Sequence, residues 1–227
     1  LILNGKDRPI KIELQNFLKE SGDTPGSRKT FIYNTFEKLM KAISKSLKKN
    51  DPNHLNLGIR YGYIEQLDDE LLRISKESFD ALSFNCYALS PDHEKMNHAL
   101  EISGLPMIIG EYHFGTVDRG LAQSLWQVNS QKERGDAFRY YTENAFAHRG
   151  LIGTGWFRWI DQNINGRTDG ENYNCGFIDV TDRPYPYMVD AAIETAKSLY
   201  EIHSGTKTPF HQAPNAVGHS PIPDLWE

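Results

Sequence analysis

The sequence predicts an α/β protein of the TIM (β/α)8 barrel type, with only the C-terminal half of the barrel, strands five to eight, in this chain. Three observations predict it. Short, nearly continuous apolar runs alternate with segments of helical periodicity, as parallel strands covered by helices should. The first three runs start roughly 25 residues apart, which fits βα units. Each run also ends on polar and aromatic residues: Arg60 and Tyr61, Asn85 and Tyr87, Glu111 and His113, Trp159 and Asp161. A barrel places its chemistry at those strand ends. Four runs in 227 residues fall short of the about eight strands and about 250 residues of a full barrel. The first half is therefore expected upstream, in the intact protein or on a cleaved partner. The alternative is a complete small open sheet.

The elements follow in order. Ser27 to Lys49 reads as a long helix with Phe31, Phe36, Leu39, Met40, Ile43 and Leu47 as its apolar set, stopped by Asp51-Pro52-Asn53. LNLGIRYG, Leu55 to Gly62, reads as the first strand. A helix is expected over Glu65 to Ser78, and a second strand over Ala81 to Leu89. Pro91 opens a helix to about Ile102, which Gly104 stops, and LPMIIGEYHFG supplies the third strand. A longer loop carries Asp118 to Gln127 before a helix from about Gln131 to Ala147. The fourth strand is Leu151 to Ile160. A polar loop then leads to a helix over Tyr187 to Tyr200. This divides the chain into a barrel portion, residues 1–203, and an extended tail, residues 204–227, which holds four prolines.

Composition narrows the chemistry. The net charge is -5, and no Lys/Arg block forms a nucleic-acid surface. The lysines of Lys41 to Lys49 alternate with Ile43 and Leu47, as on the wet face of a helix. Cys86 and Cys175 make neither a disulfide framework nor a metal cluster. No apolar run reaches membrane-spanning length. No signal peptide opens the chain and no methionine starts it, so localisation is not readable here. No glycine-rich phosphate loop follows any strand, and G-x-S-x-G and H-x-x-x-H are absent. No cofactor is expected. Asp161, Asn163, Asn165 and Gly166 mimic the start of an EF-hand loop, but position 12 is Asn172 and the entering segment reads as a strand. That calcium reading fails, and no metal ligand is assigned.

Glu111 stands first among the candidates. If Met107, Ile109 and Glu111 share one strand face, the carboxylate sits at the mouth above two core residues. A carboxylate in such a place is costly unless paired or hydrogen-bonded. A solvent-facing strand end is the plainer alternative. Tyr87 could donate a hydrogen bond to Glu111, or serve as a rim residue with its ring in the core. Asn85 ends the same strand. Arg60 is a weaker candidate, which could act on the Glu111 carboxylate through its charge or equally be a structural ion-pair residue. His113 could bind a substrate hydroxyl or orient the glutamate. Trp159 offers a flat apolar floor for the C–H face of a sugar. Trp156 and Trp159 lie on different faces, and at least one is expected to fill the gap between strands and helices.

LNLGIRYG, FNCYAL, MIIGEYHFG and GTGWFRWIDQNINGRTDGENYNCGFIDVTDRPYP together resemble the C-terminal half of the catalytic barrel of the β-agarases of glycoside hydrolase family 50, within the clan of retaining (β/α)8 glycosidases. The resemblance runs from about Asp51 to Tyr187. It implies a retaining glycoside hydrolase of a polysaccharide, a galactan such as agarose. Glu111 would be the nucleophile ending strand seven, Tyr87 would end strand six and Arg60 strand five. Trp159 would close strand eight beneath the sugar. His113, Asp161, Gln162, Arg167, Asp169, Glu171 and Asn172 would belong to substrate loops. The family's acid/base glutamate ends strand four, and no Asn-Glu pair ends a strand here before strand five. The first residues look like the loop and helix after strand four, so the acid/base is expected upstream of residue 1, and the isolated piece should be inactive. Partners implied are an oligo- or polysaccharide and the N-terminal half of the same barrel. A secreted or periplasmic location would follow. The competing reading is a non-catalytic carbohydrate-binding protein on a degenerate barrel.

Overall fold

The computed structural model describes residues 2–122 and 124–218. The stretch 219–227 of the expected tail lies outside the described residues. Helices α1, Pro9–Ser21, and α2, Pro25–Asn50, open the chain. Each begins on a proline, whose fixed φ suits the first helical turn. Thr24 caps α2 by accepting a hydrogen bond from the Ser27 N–H. Leu14 and Leu18 of α1 pack on Phe31 of α2.

Four strands then form one parallel sheet: β1, Arg60–Tyr61; β2, Leu82–Asn85; β3, Met107–Tyr112; and β5, Leu151–Trp156, in the order β1-β2-β3-β5. Helices α3, Asp69–Ser78, α4, His93–Ser103, α5, Gln131–Phe146, and α6, Pro186–His203, alternate with them. Asp68, Asp92 and Ser130 cap α3, α4 and α5. A parallel sheet with helices between its strands is the build of a partial (β/α) barrel. Leu72, Leu82, Phe84, Met96, Met107, Ile109, Leu151 and Met188 are all buried to 1% exposure or less, each stabilising the layer by about 1.5–3 kcal/mol.

Several expected elements differ. The strand expected over Leu55 to Gly62 shrinks to two residues. Gly58 takes φ +73°, a conformation a strand residue does not hold. Asn56 is tied instead to Asp80 and Ser78. The strand expected to run to Ile160 stops at Trp156, and the Phe157–Arg158 peptide is cis. Only one side of α2 is inward. Phe31 and Met40 are buried, while Leu39, Ile43 and Leu47 are exposed; the inward side meets α1 and α3 and, through Phe36, the Tyr61 ring of β1.

The segment after α6 is held rather than free. Glu143 of α5, 1% exposed, accepts the Phe210 N–H at 2.7 Å, and Asn144 donates to the Phe210 carbonyl at 3.1 Å. Beyond it, β6, Val217–Gly218, pairs antiparallel with β4, Trp126–Gln127, in the loop that the sequence left without structure.

Candidate active site

The residues at the strand ends converge on Glu111. Its Oε1 lies 2.8 Å from Arg60 Nη2. Its Oε2 accepts from Tyr87 Oη at 2.9 Å and from Asn85 Nδ2 at 3.1 Å. Three neighbouring parallel strands end at one level, so β1, β2 and β3 deliver these side chains to one point. The Glu111 side chain keeps 20% of its exposure. The Asn85 Oδ1 is buried without a partner.

The face assignment needs correction. Ile109 is opposite Phe84, but Glu111, not Gly110, is opposite Asn85, so the register shifts by one residue. Phe84 and Asn85 point to opposite faces. Glu111 therefore does not share the face of Met107 and Ile109. The extra residue turns it to the other side, away from the helix-packed core. Gly110 makes room for this arrangement. A Cβ there would meet Arg60 Cδ at 2.3 Å.

Burial, followed by the Glu111 charge and hydrogen bond, pushes the Tyr87 phenol far above its ordinary range. Tyr87 therefore stays a proton donor. Tyr63, which the sequence reading missed, also feels the Glu111 charge after the larger effect of burial. Nothing in its local sequence marked it. It follows β1 by two residues and lies near Glu111 only through the fold.

The other candidates divide into exposed and buried sets. Trp159 is 69% exposed and stacks on Phe177 with ring centres 5.9 Å apart. Arg167 pairs with Asp169 at 2.6 Å and Glu171 at 3.1 Å, on the accessible side of the loop. Trp156 fills the gap between sheet and helices. Its ring meets Tyr112 and Phe138 edge-on, and its Nε1 donates to the Cys175 carbonyl.

His113, Asp161 and Gln162, expected beside the substrate, turn inward. His113 is 1% exposed. Its Nδ1 donates to the Phe157 carbonyl at 3.0 Å, and its Nε2 accepts the Leu125 N–H at 3.2 Å. Burial pushes its pKa down to about 3, so the ring is neutral and braces the Tyr87 ring edge-on at 5.0 Å. Asp161 accepts from Gly176 N–H at 2.7 Å, Asn174 Nδ2 at 2.8 Å and Tyr185 Oη at 2.6 Å. Gln162 joins Glu171 to the Tyr173 N–H. These three satisfy the loop's own buried polar groups. Asp169 and Asn172 also bond within the loop. Among the described residues, no group of three or more His, Cys, Asp or Glu side chains is arranged to hold a metal ion.

A carboxylate held by polar side chains at the C-terminal ends of parallel strands is the rim arrangement of a (β/α)-barrel protein. No family model matches the chain. It is similar to β-agarase A of Vibrio sp. (strain JT0107), at 36% identity over 165 residues, covering 70% of this chain and 16% of that protein. Among solved structures, the agarase AgWH50C superposes with a TM-score of 0.73 at 34% identity, covering 78% of this chain and 25% of that one. PfGH50B superposes with a TM-score of 0.77 at 29% identity, covering 86% and 33%. The chain thus resembles the agarases of glycoside hydrolase family 50, and it spans about a sixth of the length of the curated agarase.

Proposed function

We propose that this chain is the nucleophile-bearing, C-terminal half of the catalytic barrel of a retaining glycoside hydrolase. Its strands would be five to eight of the barrel. Its substrate would be a polysaccharide, a galactan such as agarose. The observation that carries the reading is Glu111, held by Arg60, Tyr87 and Asn85 yet still open to solvent on one side. A nucleophile needs a fixed rotamer, an ionised form and one free approach. Two donors on Oε2 and a guanidinium on Oε1 support the fixed rotamer, and the remaining 20% exposure supports the free approach.

Retaining hydrolysis uses two carboxyl groups about 5 Å apart. In this reading Glu111 attacks the anomeric carbon. A carboxyl group from the preceding part of the barrel protonates the leaving oxygen, then activates water against the glycosyl ester. Trp159, whose indole is open, would lie under a sugar ring. Arg167 and Glu171 would meet hydroxyl groups at the loop edge.

The test is Glu111→Gln in the complete enzyme. Shape and folding should survive, while turnover should fall by several orders of magnitude. Azide should restore cleavage of an activated substrate, with inverted product configuration. Turnover within a few fold of the parent would refute the assignment. A binding protein without turnover would show none in the parent either.

A further inference from the structure

Tyr141 of α5 is fully buried on the helix-packed side of the sheet. It meets both of the strands that carry Glu111 and its Oε2 donors. Its hydroxyl donates to the Cys86 carbonyl at 2.6 Å. Its ring stacks on Tyr112, with centres 4.0 Å apart and planes 9° apart. Cys86 stands between Asn85 and Tyr87, the two donors to Oε2. Tyr112 is the residue after Glu111.

The Cys86 main chain is therefore held from two directions. Its N–H donates to the Glu111 carbonyl at 3.0 Å, and its carbonyl accepts from Tyr141. The ladder between β2 and β3 ends at Asn85 and Glu111, where the register shifts. A buried carbonyl past that point needs a partner from elsewhere, and α5 supplies it. Tyr112 is tied to the same turn of α5, because its hydroxyl bonds Thr142 Oγ1. A phenylalanine at 141 would fill the same space and keep the ring stack. The hydroxyl alone fixes the peptide between Asn85 and Tyr87. Burial first, and then the neighbouring Cys86, push this phenol well above its ordinary range, so it stays a donor.

We propose that Tyr141 is a positioning residue for hydrolysis, which aims Tyr87 and Asn85 at Glu111 Oε2 through the Cys86 carbonyl. This role rests on the reading of Glu111 as the nucleophile. Tyr141 lies behind the strand ends and does not touch the sugar. Without its hydroxyl the Cys86 peptide is free to turn, and a turn there moves both donors off the carboxylate together. The rate then falls because Glu111 is held less firmly, while substrate binding is left as it was.

The experiment compares Tyr141→Phe, Tyr87→Phe, the double variant and Glu143→Ala in the complete enzyme. Each is assayed on agarose oligosaccharides well below its own melting temperature. Tyr141→Phe should lower kcat by about three- to tenfold, the ceiling being the roughly tenfold loss expected when the Tyr87 hydroxyl itself is removed. KM should change by less than about twofold. In the double variant the two losses should not multiply, because both act on the same Oε2 contacts. Glu143→Ala, which removes bonds to Phe210, Thr195 and Arg139 on the same helix, should melt lower and keep kcat within about twofold of the parent. Unchanged kcat in Tyr141→Phe, fully multiplied losses, or an equal loss of kcat in Glu143→Ala would each overturn the role. A Tyr141→Phe chain that fails to fold would make the hydroxyl a requirement of the fold and overturn it equally. Glu111→Gln, run alongside, separates the two levels of failure. Turnover absent from the parent, or within a few fold of it in Glu111→Gln, refutes the nucleophile reading itself. An inactive Glu111→Gln beside an unchanged Tyr141→Phe refutes only the positioning role.

Discussion

Replacing Tyr87 by phenylalanine removes one oxygen and tests whether Glu111 must be held to react. The ring stays, with its edge-on contact to His113 at 5.0 Å. The loss is the 2.9 Å hydrogen bond to Oε2. Arg60 at 2.8 Å and Asn85 at 3.1 Å remain. A hydrogen bond to a charged group contributes about 1.5–3 kcal/mol. Glu111 keeps part of its exposure, so water replaces some of this, and the lower end of about 1.5 kcal/mol applies. That is roughly tenfold in rate. The assay is reducing-end release from agarose oligosaccharides by the complete enzyme, with melting followed in parallel. The expected result is kcat lowered roughly tenfold, KM changed by less than about twofold and a melting temperature within about 2 °C. The alkaline side of the pH profile should not move, because Tyr87 is held protonated far above its ordinary range. Unchanged kcat with a lowered melting temperature would make Tyr87 a packing residue and refute the reasoning.

Two further outcomes concern stability. Glu143→Ala should destabilise by about 3 kcal/mol, because the Phe210 N–H and Thr195 Oγ1 lose their acceptor and Arg139 its partner. Melting should fall by about 6–12 °C, with faster hydrogen exchange at the Phe210 amide; a fall under about 2 °C with that amide still protected would contradict the strap. Acidification should act through His113, which burial holds neutral down to about pH 3. The unfolded imidazole takes up a proton near pH 6.5 and the folded one does not. The neutral form's stability is therefore complete above about pH 6.5 and declines toward pH 3, by up to about 1.4 kcal/mol per pH unit. Denaturant midpoints between pH 6.5 and 5 should show this slope, and His113→Gln should flatten it; an equal slope in the variant would assign the effect to other groups, His148 among them, whose pKa burial also lowers.

The βα alternation was legible because buried parallel strands must be apolar on both faces and helices must carry an apolar stripe. The short β1 was not. Its run of Leu55, Leu57 and Ile59 has strand character, yet Gly58 and the Asn56–Asp80 bonds override it, and Leu55 ends 73% exposed. The inward face of α2 was overestimated for a related reason. Helical spacing shows which residues share a stripe but not whether a neighbour covers it. Leu39, Ile43 and Leu47 stay uncovered. The tail strap was hidden as well, because it depends on Glu143, a charged helix residue whose partners lie 52 and 67 positions away.

The candidate site divides along the same line between local and non-local causes. Arg60, Asn85, Tyr87 and Glu111 were legible as a group because adjacent parallel strands bring their C-terminal ends together, whatever the register within them. The face of Glu111 was not legible, because strict alternation places it with Met107 and Ile109, and only the extra residue at Gly110 reverses it. Gly110 is the hint that the sequence did hold. A glycine inside a strand marks a bulge or a close approach, and here it serves both: Arg60 crosses where a Cβ would stand, and the guanidinium thereby reaches Oε1. His113 and Asp161 show the other side of this. His113 was read as binding a substrate hydroxyl or orienting Glu111, and Asp161 as part of a substrate loop, while a long irregular loop over a barrel rim must also satisfy its own buried amides and carbonyls. Asp161 and His113 do that for the Gly176 N–H, the Leu125 N–H and the Phe157 carbonyl. Polar residues in such a loop therefore divide by exposure: those turned inward hold the backbone, and those left open, Trp159 and Arg167 here, are the ones a ligand can meet.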